Sequence, residues 1–196
     1  MRIFTNTSRF IISTVIFFLP VLCNAETKSD FPSSFSTVKA MIEQFSDYHE
    51  EKGTFKIIKE KPLHIQLSPI FYEGQTKEQV IGDVHRALIY GVYRSFIFTP
   101  VNKITVTAIP KEFNRSNTLK YMNEYKVSVS VARKDALDLA KKYLKVSSFS
   151  ELVTSKKIQD IIYPYGFSSS FDEIYHNDPH AVVSRDRFVN ELSKKQ

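Results

Sequence analysis

The sequence has little cysteine and little glycine, and each shortage excludes a class of protein. Its 196 residues include one Cys, which excludes a disulfide-stabilised scaffold and a zinc or iron–sulfur site built from several cysteines. Five Gly exclude a collagen-like chain. Hydrophobic residues at 42% and aromatic residues at 13% are too abundant for a disordered chain. These exclusions leave a protein with one globular domain, either alone or with a helical tail.

Two groups of catalytic motif are also missing. The sequence has no G-x-S-x-G nucleophile motif. It has no Walker motif and no G-x-G-x-x-G loop for phosphate binding, because Gly74 and Gly82 each stand alone. These absences favour a non-enzymatic role.

Residues 1–25 have the three parts of a secretory signal peptide. Arg2 and Arg9 supply the positive charge, and the stretch 10–22 is almost entirely apolar. Small residues stand at Cys23 and Ala25, the −3 and −1 positions that a signal peptidase recognises for cleavage before Glu26. A transmembrane anchor needs about 20 apolar residues, so the shorter run predicts cleavage after Ala25.

Cleavage would change both the charge and the thiol content of the chain. The formal net charge of +6 falls by two, to +4, because Arg2 and Arg9 are lost, and Cys23 is lost with them. We expect a soluble periplasmic or secreted protein with no transmembrane anchor after cleavage. Lipid attachment at Cys23 is an alternative, although Leu22 suits a bacterial lipobox poorly. The small charge and the export both argue against a nucleic-acid partner.

Hydrophobic spacing predicts an α+β domain over residues 26–162. The predicted helices cover 34–52, 77–96 and 133–145, and the predicted strands cover 54–60, 63–72, 104–109 and 125–131. Short connections favour antiparallel pairing, and one apolar face per strand favours a sheet covered on one side. We therefore expect a four-stranded, mostly antiparallel sheet with a central helix packed on one face and a helical C-terminal tail.

Residues 163–196 form an aromatic-rich segment followed by a predicted C-terminal helix. Large aromatic side chains stand close together in it, at Tyr163, Tyr165, Phe167, Phe171 and Tyr175. Aromatic residues concentrate contact energy at protein interfaces, so we predict that this group binds a partner. The alternative is that the segment belongs to the same domain and packs its aromatic side chains internally.

Histidines offer the remaining candidate sites. His85 lies among apolar neighbours on the predicted central helix, where a general base would need a further group brought in by folding. His176, Asp178 and His180 have the spacing of a weak metal site. Asp178-Pro179 is typical of a helix start, which would separate the two imidazoles. We expect neither a metal nor a cofactor.

These features predict an exported, non-enzymatic protein that binds another protein. An envelope assembly component and a periplasmic inhibitor or immunity factor both fit the prediction. The alternative is a small envelope hydrolase that uses His85 or the His176/His180 cluster. For the binding role, we expect a protein partner whose identity the sequence does not indicate.

Overall fold

The computed structural model describes residues 34–158, 161–181 and 183–195, with backbone only for 156–158 and 161–164. The predicted signal peptide lies outside the described residues. The helices are α1 (Val38–Phe45), α2 (Lys77–Phe98), α3 (Arg133–Leu144), α4 (Ser169–His176) and α5 (Arg185–Ser193). The strands are β1 (Phe55–Lys59), β2 (His64–Leu67), β3 (Ile70–Tyr72), β4 (Lys103–Ala108), β5 (Lys111–Phe113), β6 (Leu119–Tyr121), β7 (Val127–Ala132), β8 (Val153–Ile158) and β9 (Ile161–Phe167).

The main sheet has four strands in the order β1-β2-β4-β7, and the α+β prediction is confirmed. The prediction of mostly antiparallel pairing is only partly right. The outer pairs, β1–β2 and β4–β7, are antiparallel, whereas the central pair β2–β4 is parallel. The reason is the connection between β2 and β4, which contains the whole of α2. Such a crossover returns the chain to the end of the sheet where it began, so the two strands run the same way.

Helix α2 begins with a capping box and lies directly on the sheet. The Thr76 hydroxyl accepts a hydrogen bond from the Gln79 N–H at 3.3 Å, and the Gln79 side chain accepts one from the Thr76 N–H at 2.9 Å. Farther along, a Cβ on Gly91 would lie 2.7 Å from Val106 Cγ1 and 3.0 Å from Leu67 Cδ1. The absence of a side chain at Gly91 therefore lets the helix backbone approach β2 and β4 closely.

The buried core lies between α2 and the apolar face of the main sheet. Val84 and Leu88 lie on the same stripe of α2 as Gly91, since residues three, four and seven apart share a helix face. Both are fully buried. They share the core with apolar residues that alternate along the strands of the main sheet and point toward α2. Among these are Ile65, Leu67, Ile104, Val106, Val129 and Val131.

A second sheet, in the order β3-β5-β6, extends the main one beyond two prolines. The sequence predicts one strand over 63–72, but Pro69 divides it into β2 and β3. Pro110 likewise separates β4 from β5. Proline has no N–H to donate, so the ladder of the main sheet stops at these positions. Strands β5 and β6 are not predicted by the hydrophobic pattern of the sequence.

The C-terminal segment contributes to the same core as the sheet. Strand β9 pairs with β8, and α4 and α5 bury Phe171, Ile174, Phe188 and Leu192 in the main hydrophobic cluster. The helix start predicted at Asp178-Pro179 is wrong. A turn lies there, and the last helix begins at Arg185. In the described part of the chain, no helix is long and apolar enough to cross a bilayer.

Candidate interaction surface

The second sheet carries most of the exposed large hydrophobic side chains. We call β3, β5 and β6 together the ribbon. Ile70, Tyr72, Leu119 and Tyr121 are 42%, 69%, 42% and 40% exposed. Among the described residues, the one other large hydrophobic side chain in this exposed class is Ile58, on the edge strand β1.

The register of the ribbon places these four side chains on one face. Ile70 stands beside Lys111, and Lys111 stands opposite Tyr121. In the next row, Tyr72 and Leu119 flank Phe113. Side chains directly across a ladder, or two residues apart on one strand, point to the same side of a sheet. We call this side the ribbon face; Phe71, Glu112 and Lys120 belong to the other side.

Contacts within the ribbon hold several of its side chains in place. The rings of Tyr72 and Phe113 meet edge to face, with centroids 5.9 Å apart. Lys111 Nζ lies 4.7 Å from the centroid of the Tyr121 ring and donates a hydrogen bond to the Gly53 carbonyl at 2.8 Å. The Gln66 side chain donates a hydrogen bond to the Tyr121 hydroxyl at 3.2 Å. The aromatic groups are therefore preorganised in the absence of a partner.

A polar ladder on the open side of the main sheet borders the ribbon face. His64 Nε2 lies 2.8 Å from the Thr107 hydroxyl, which lies 2.9 Å from the Ser128 hydroxyl. Burial lowers the pKa of the His64 imidazole, and the positive charge of Lys126 lowers it further. The two surfaces meet where Gln66, on β2, contacts Tyr121.

The chain matches no protein-family model, no curated protein and no solved structure.

Among the predicted binding residues, the structure places Phe167 and Phe171 in the core. They are 5% and 0% exposed, and their rings meet edge to face with centroids 4.6 Å apart. The Phe171 ring also lies 5.0 Å from the ring of Tyr93 on α2. For these two residues the structure shows internal packing, which is the alternative to partner binding in the sequence analysis. A binding role for the five aromatic residues of this segment stays a prediction.

The other three predicted binding residues lie at the edge of this core. Tyr165 is half-buried, and its ring meets Phe98 edge to face at 5.3 Å. Tyr175 is half-buried as well, and burial raises the pKa of its hydroxyl to about 12. Tyr163 lies in β9 opposite Lys156, and its side chain lies outside the described residues.

Arg94 on α2 contacts the aromatic residues of the C-terminal segment from inside the core. The sequence pattern does not indicate this residue. It is 8% exposed, and its guanidinium carbon lies 4.1 Å from the Phe45 ring centroid and 4.2 Å from that of Phe167. Nη1 donates a hydrogen bond to the Tyr165 carbonyl at 2.8 Å. Burial lowers the pKa of Arg94. A cation enclosed by aromatic faces is stabilised by their quadrupoles, so Arg94 ties these aromatics to α2.

The structure brings His85 into a cavity beside an acidic partner. His85 Nδ1 lies 2.7 Å from Asp186 Oδ1, although the two residues are 101 positions apart. The cavity has a volume of about 380 Å³, and Glu124, Tyr125 and Lys126 form its opposite wall. No Ser, Thr or Cys stands among its described lining residues. The pair therefore has a general-base geometry without a serine, threonine or cysteine nucleophile among the described residues that line the cavity.

His176 and His180 are held apart by separate local contacts. His176 Nδ1 lies 3.0 Å from Asp172 Oδ1, one turn earlier on α4. The backbone N–H of His180 donates to Asp178 Oδ1 at 2.8 Å. The described residues contain no group of three or more His, Cys, Asp or Glu side chains placed to hold a metal ion.

The sequence contains one S-x-x-K spacing, at Ser36 and Lys39, although no such motif is expected from the sequence reasoning. Both residues line a groove of about 480 Å³ at the start of α1. Lys39 Nζ contacts Glu50, which raises the pKa of the ammonium group. A serine hydrolase needs a neutral lysine as its base, so this arrangement favours an ordinary surface ion pair.

Proposed function

We propose that this protein binds another protein through the ribbon face and acts as a non-enzymatic accessory. The observation that carries the proposal is the concentration of exposed Ile70, Tyr72, Leu119 and Tyr121 on one face of the ribbon. A soluble domain rarely leaves so many large apolar side chains together in water unless they meet a partner. Tyrosine is also among the residues that most often dominate interface energies.

Crosslinking from the ribbon face tests this proposal. A photoreactive residue at position 72 should capture one defined protein in the producing cells, whereas the same residue at position 58 on β1 should not. With that protein purified, Tyr72→Ser combined with Tyr121→Ser should weaken its binding at least about tenfold. Ile58→Ser is the matched control, because it removes an exposed apolar side chain from another strand. Equal binding by the double variant and the control would contradict the proposal.

We also propose that the protein is exported and acts in the periplasm or outside the cell. The charge, apolar stretch and cleavage site of residues 1–25 support this. Envelope assembly and inhibition of a periplasmic target are two roles that fit such a binder. N-terminal sequencing of the exported protein should begin at Glu26, and Ala25→Glu should leave the precursor uncleaved. A cytosolic protein that retains Met1 would overturn the proposal.

A second candidate, a small hydrolase, is favoured by His85, which lines a cavity and contacts Asp186. In this role His85 would take a proton from an attacking water molecule, and Asp186 would orient the imidazole. Purified protein and its His85→Asn variant can be compared on ester, phosphoester and peptide substrates. The candidate requires hydrolysis that His85→Asn abolishes. Equal rates for the two proteins would eliminate it and leave the binding proposal unaffected.

A further inference from the structure

The outer strand of the ribbon, β6, has an open edge whose backbone groups can be assigned from its pairing. The Asn114 N–H donates to the Thr118 carbonyl, and the Met122 N–H donates to the Pro110 carbonyl. In an antiparallel ladder the inward-facing residues alternate with outward-facing ones. Residues 118, 120 and 122 therefore face β5, and the N–H and C=O groups of Leu119 and Tyr121 face outward.

The side chains along this edge follow the same alternation. Leu119 and Tyr121, which carry the outward backbone groups, also place exposed apolar side chains on the ribbon face. Lys120 between them is exposed on the other side, across the ladder from Glu112, and it forms no ion pair with Glu112 or with any other described residue. The edge thus presents backbone donors and acceptors that no described residue occupies, with an apolar row on one side and the Lys120 ammonium group on the other.

We propose that the partner contributes an extended segment that adds to β6 as a further antiparallel strand. This proposal rests on the proposed function, and it names the mode of binding. Backbone hydrogen bonds to Leu119 and Tyr121 would supply affinity, as in other strand-addition complexes. Directly paired side chains share a face, so the partner residues opposite Leu119 and Tyr121 would be apolar. The residue between them would be acidic, opposite Lys120.

Charge at Lys120 favours a different protein over a second copy of this chain. If two β6 strands paired antiparallel about a two-fold axis at Lys120, the register that matches Leu119 with Tyr121, each Lys120 would stand directly opposite its own copy. Like charges in that position destabilise a strand pair, and edge lysines are a known device against self-pairing. An acidic residue opposite Lys120 would be favourable. Lys120 therefore discriminates between a different protein with such a residue and a second copy of this chain.

A displayed library of random linear peptides provides the probe. The library is selected on the wild-type protein after depletion on the variant that combines Tyr72→Ser with Tyr121→Ser. Enriched peptides should share an apolar–acidic–apolar pattern. One of them is then synthesised with Glu or with Lys at the central position, and the Kd values for both are measured by fluorescence anisotropy.

Three variants of β6 then test the backbone and the charge separately. Leu119→Ser removes the side chain, and Leu119→Pro removes the outward N–H as well, which an edge strand tolerates in the fold. The proline variant should bind at least about tenfold more weakly than the serine variant, a difference of about 1.4 kcal/mol. Lys120→Glu should reverse the preference from the Glu peptide to the Lys peptide. Circular dichroism of each variant verifies that it is folded.

The outcomes separate the binding mode from the function. If peptides bind the ribbon face equally well with serine or proline at position 119, strand addition is wrong and the proposed function stands. If the selection enriches no peptide beyond the depleted background, strand addition is contradicted, and crosslinking from position 72 decides the proposed function separately. A wild-type dimer in sedimentation that Leu119→Pro dissociates would identify a second copy as the occupant and overturn the inference.

Discussion

At the scale of single residues, Arg133 closes the C-terminal end of α2 with its guanidinium group. Nη1 donates a hydrogen bond to the Phe96 carbonyl at 2.6 Å, Nε donates one to the Val101 carbonyl at 3.0 Å, and Nη2 contacts the Thr99 carbonyl. These carbonyls lie at or just beyond the last turn of the helix, where no further N–H of the helix can satisfy them. The positive charge also compensates the negative end of the helix dipole.

Arg133→Ala should lower the free energy of unfolding by about 2–3 kcal/mol, the size of one or two charge-assisted hydrogen bonds. Arg133→Lys keeps the charge but has a single nitrogen in place of the three that reach separate carbonyls, so it should recover only part of the loss. Urea denaturation followed by circular dichroism measures both values. Indistinguishable stabilities for wild type and Arg133→Ala would show that the contacts contribute nothing net.

His64 should make the stability of the fold depend on pH. Its pKa is lower in the folded protein than in the unfolded chain, so the unfolded chain binds more protons as the pH falls. The stabilisation from neutral His64 is therefore complete above the unfolded pKa of about 6.5 and is lost as the pH falls through the lower folded value. The free energy of unfolding should decrease between pH 7 and pH 5.

The matched variant His64→Gln keeps a polar side chain but cannot titrate. Its stability should change less over this pH range than that of the wild type, in denaturation series at constant ionic strength. Identical slopes for the two proteins would assign the pH dependence to other groups.

At the scale of secondary-structure elements, the contact between α2 and the main sheet depends on Gly91. A methyl group there would lie 2.7 Å from a side-chain carbon of Val106, which is closer than van der Waals contact allows. Gly82, on the same helix, meets only the end of the Arg185 side chain. The two glycines therefore offer a matched pair in which helix propensity is the same and the packing is different.

Gly91→Ala should destabilise the protein by about 1–3 kcal/mol, because overpacking must push the helix away from the sheet. Gly82→Ala should be near neutral, since the gain of about 1 kcal/mol in helix propensity offsets the cost of moving the Arg185 guanidinium, whose Nη1 donates to the Tyr175 carbonyl. Thermal and urea unfolding of the two variants provides the comparison. A Gly91→Ala protein at least as stable as Gly82→Ala would show that the helix has room to shift.

At the scale of the whole molecule, the C-terminal segment and the sheet share one core. Phe188 on α5 lies 5.7 Å from the ring of Tyr93 on α2 and 6.2 Å from that of Tyr143 on α3. The Tyr93 hydroxyl donates a hydrogen bond to the Ala136 carbonyl at 2.9 Å. These contacts join three helices that are far apart in the sequence.

Phe188→Ala should lower the free energy of unfolding by about 3–5 kcal/mol because it leaves a cavity between these helices. Unfolding should remain a single transition, with the tyrosine near-ultraviolet signal and the far-ultraviolet signal coinciding. Lys194→Ala, at the exposed end of the same helix, should leave stability almost unchanged. Two separate transitions in the wild type would indicate that α5 unfolds independently of the sheet.

The sequence by itself determined the features that depend on neighbouring residues. The capping box at Thr76 predicts the start of α2, and the alternation of Val127, Val129 and Val131 predicts a strand with one buried face. Both signals are local, because a helix start and a strand period involve residues within a few positions of each other. The α+β class follows from the order of such elements.

Only the tertiary structure decided which strands are neighbours and which side chains meet. The parallel pairing of β2 with β4 depends on where α2 returns the chain. The spacing of hydrophobic residues within each segment carries no information about this. Leu119 and Tyr121 show the same alternation as buried strand residues, and they are exposed because nothing in the described chain covers the ribbon face. His85 and Asp186 meet across 101 positions for a similar reason. Contacts between distant residues follow from packing, and hydrophobic pattern alone does not specify the neighbour of each face.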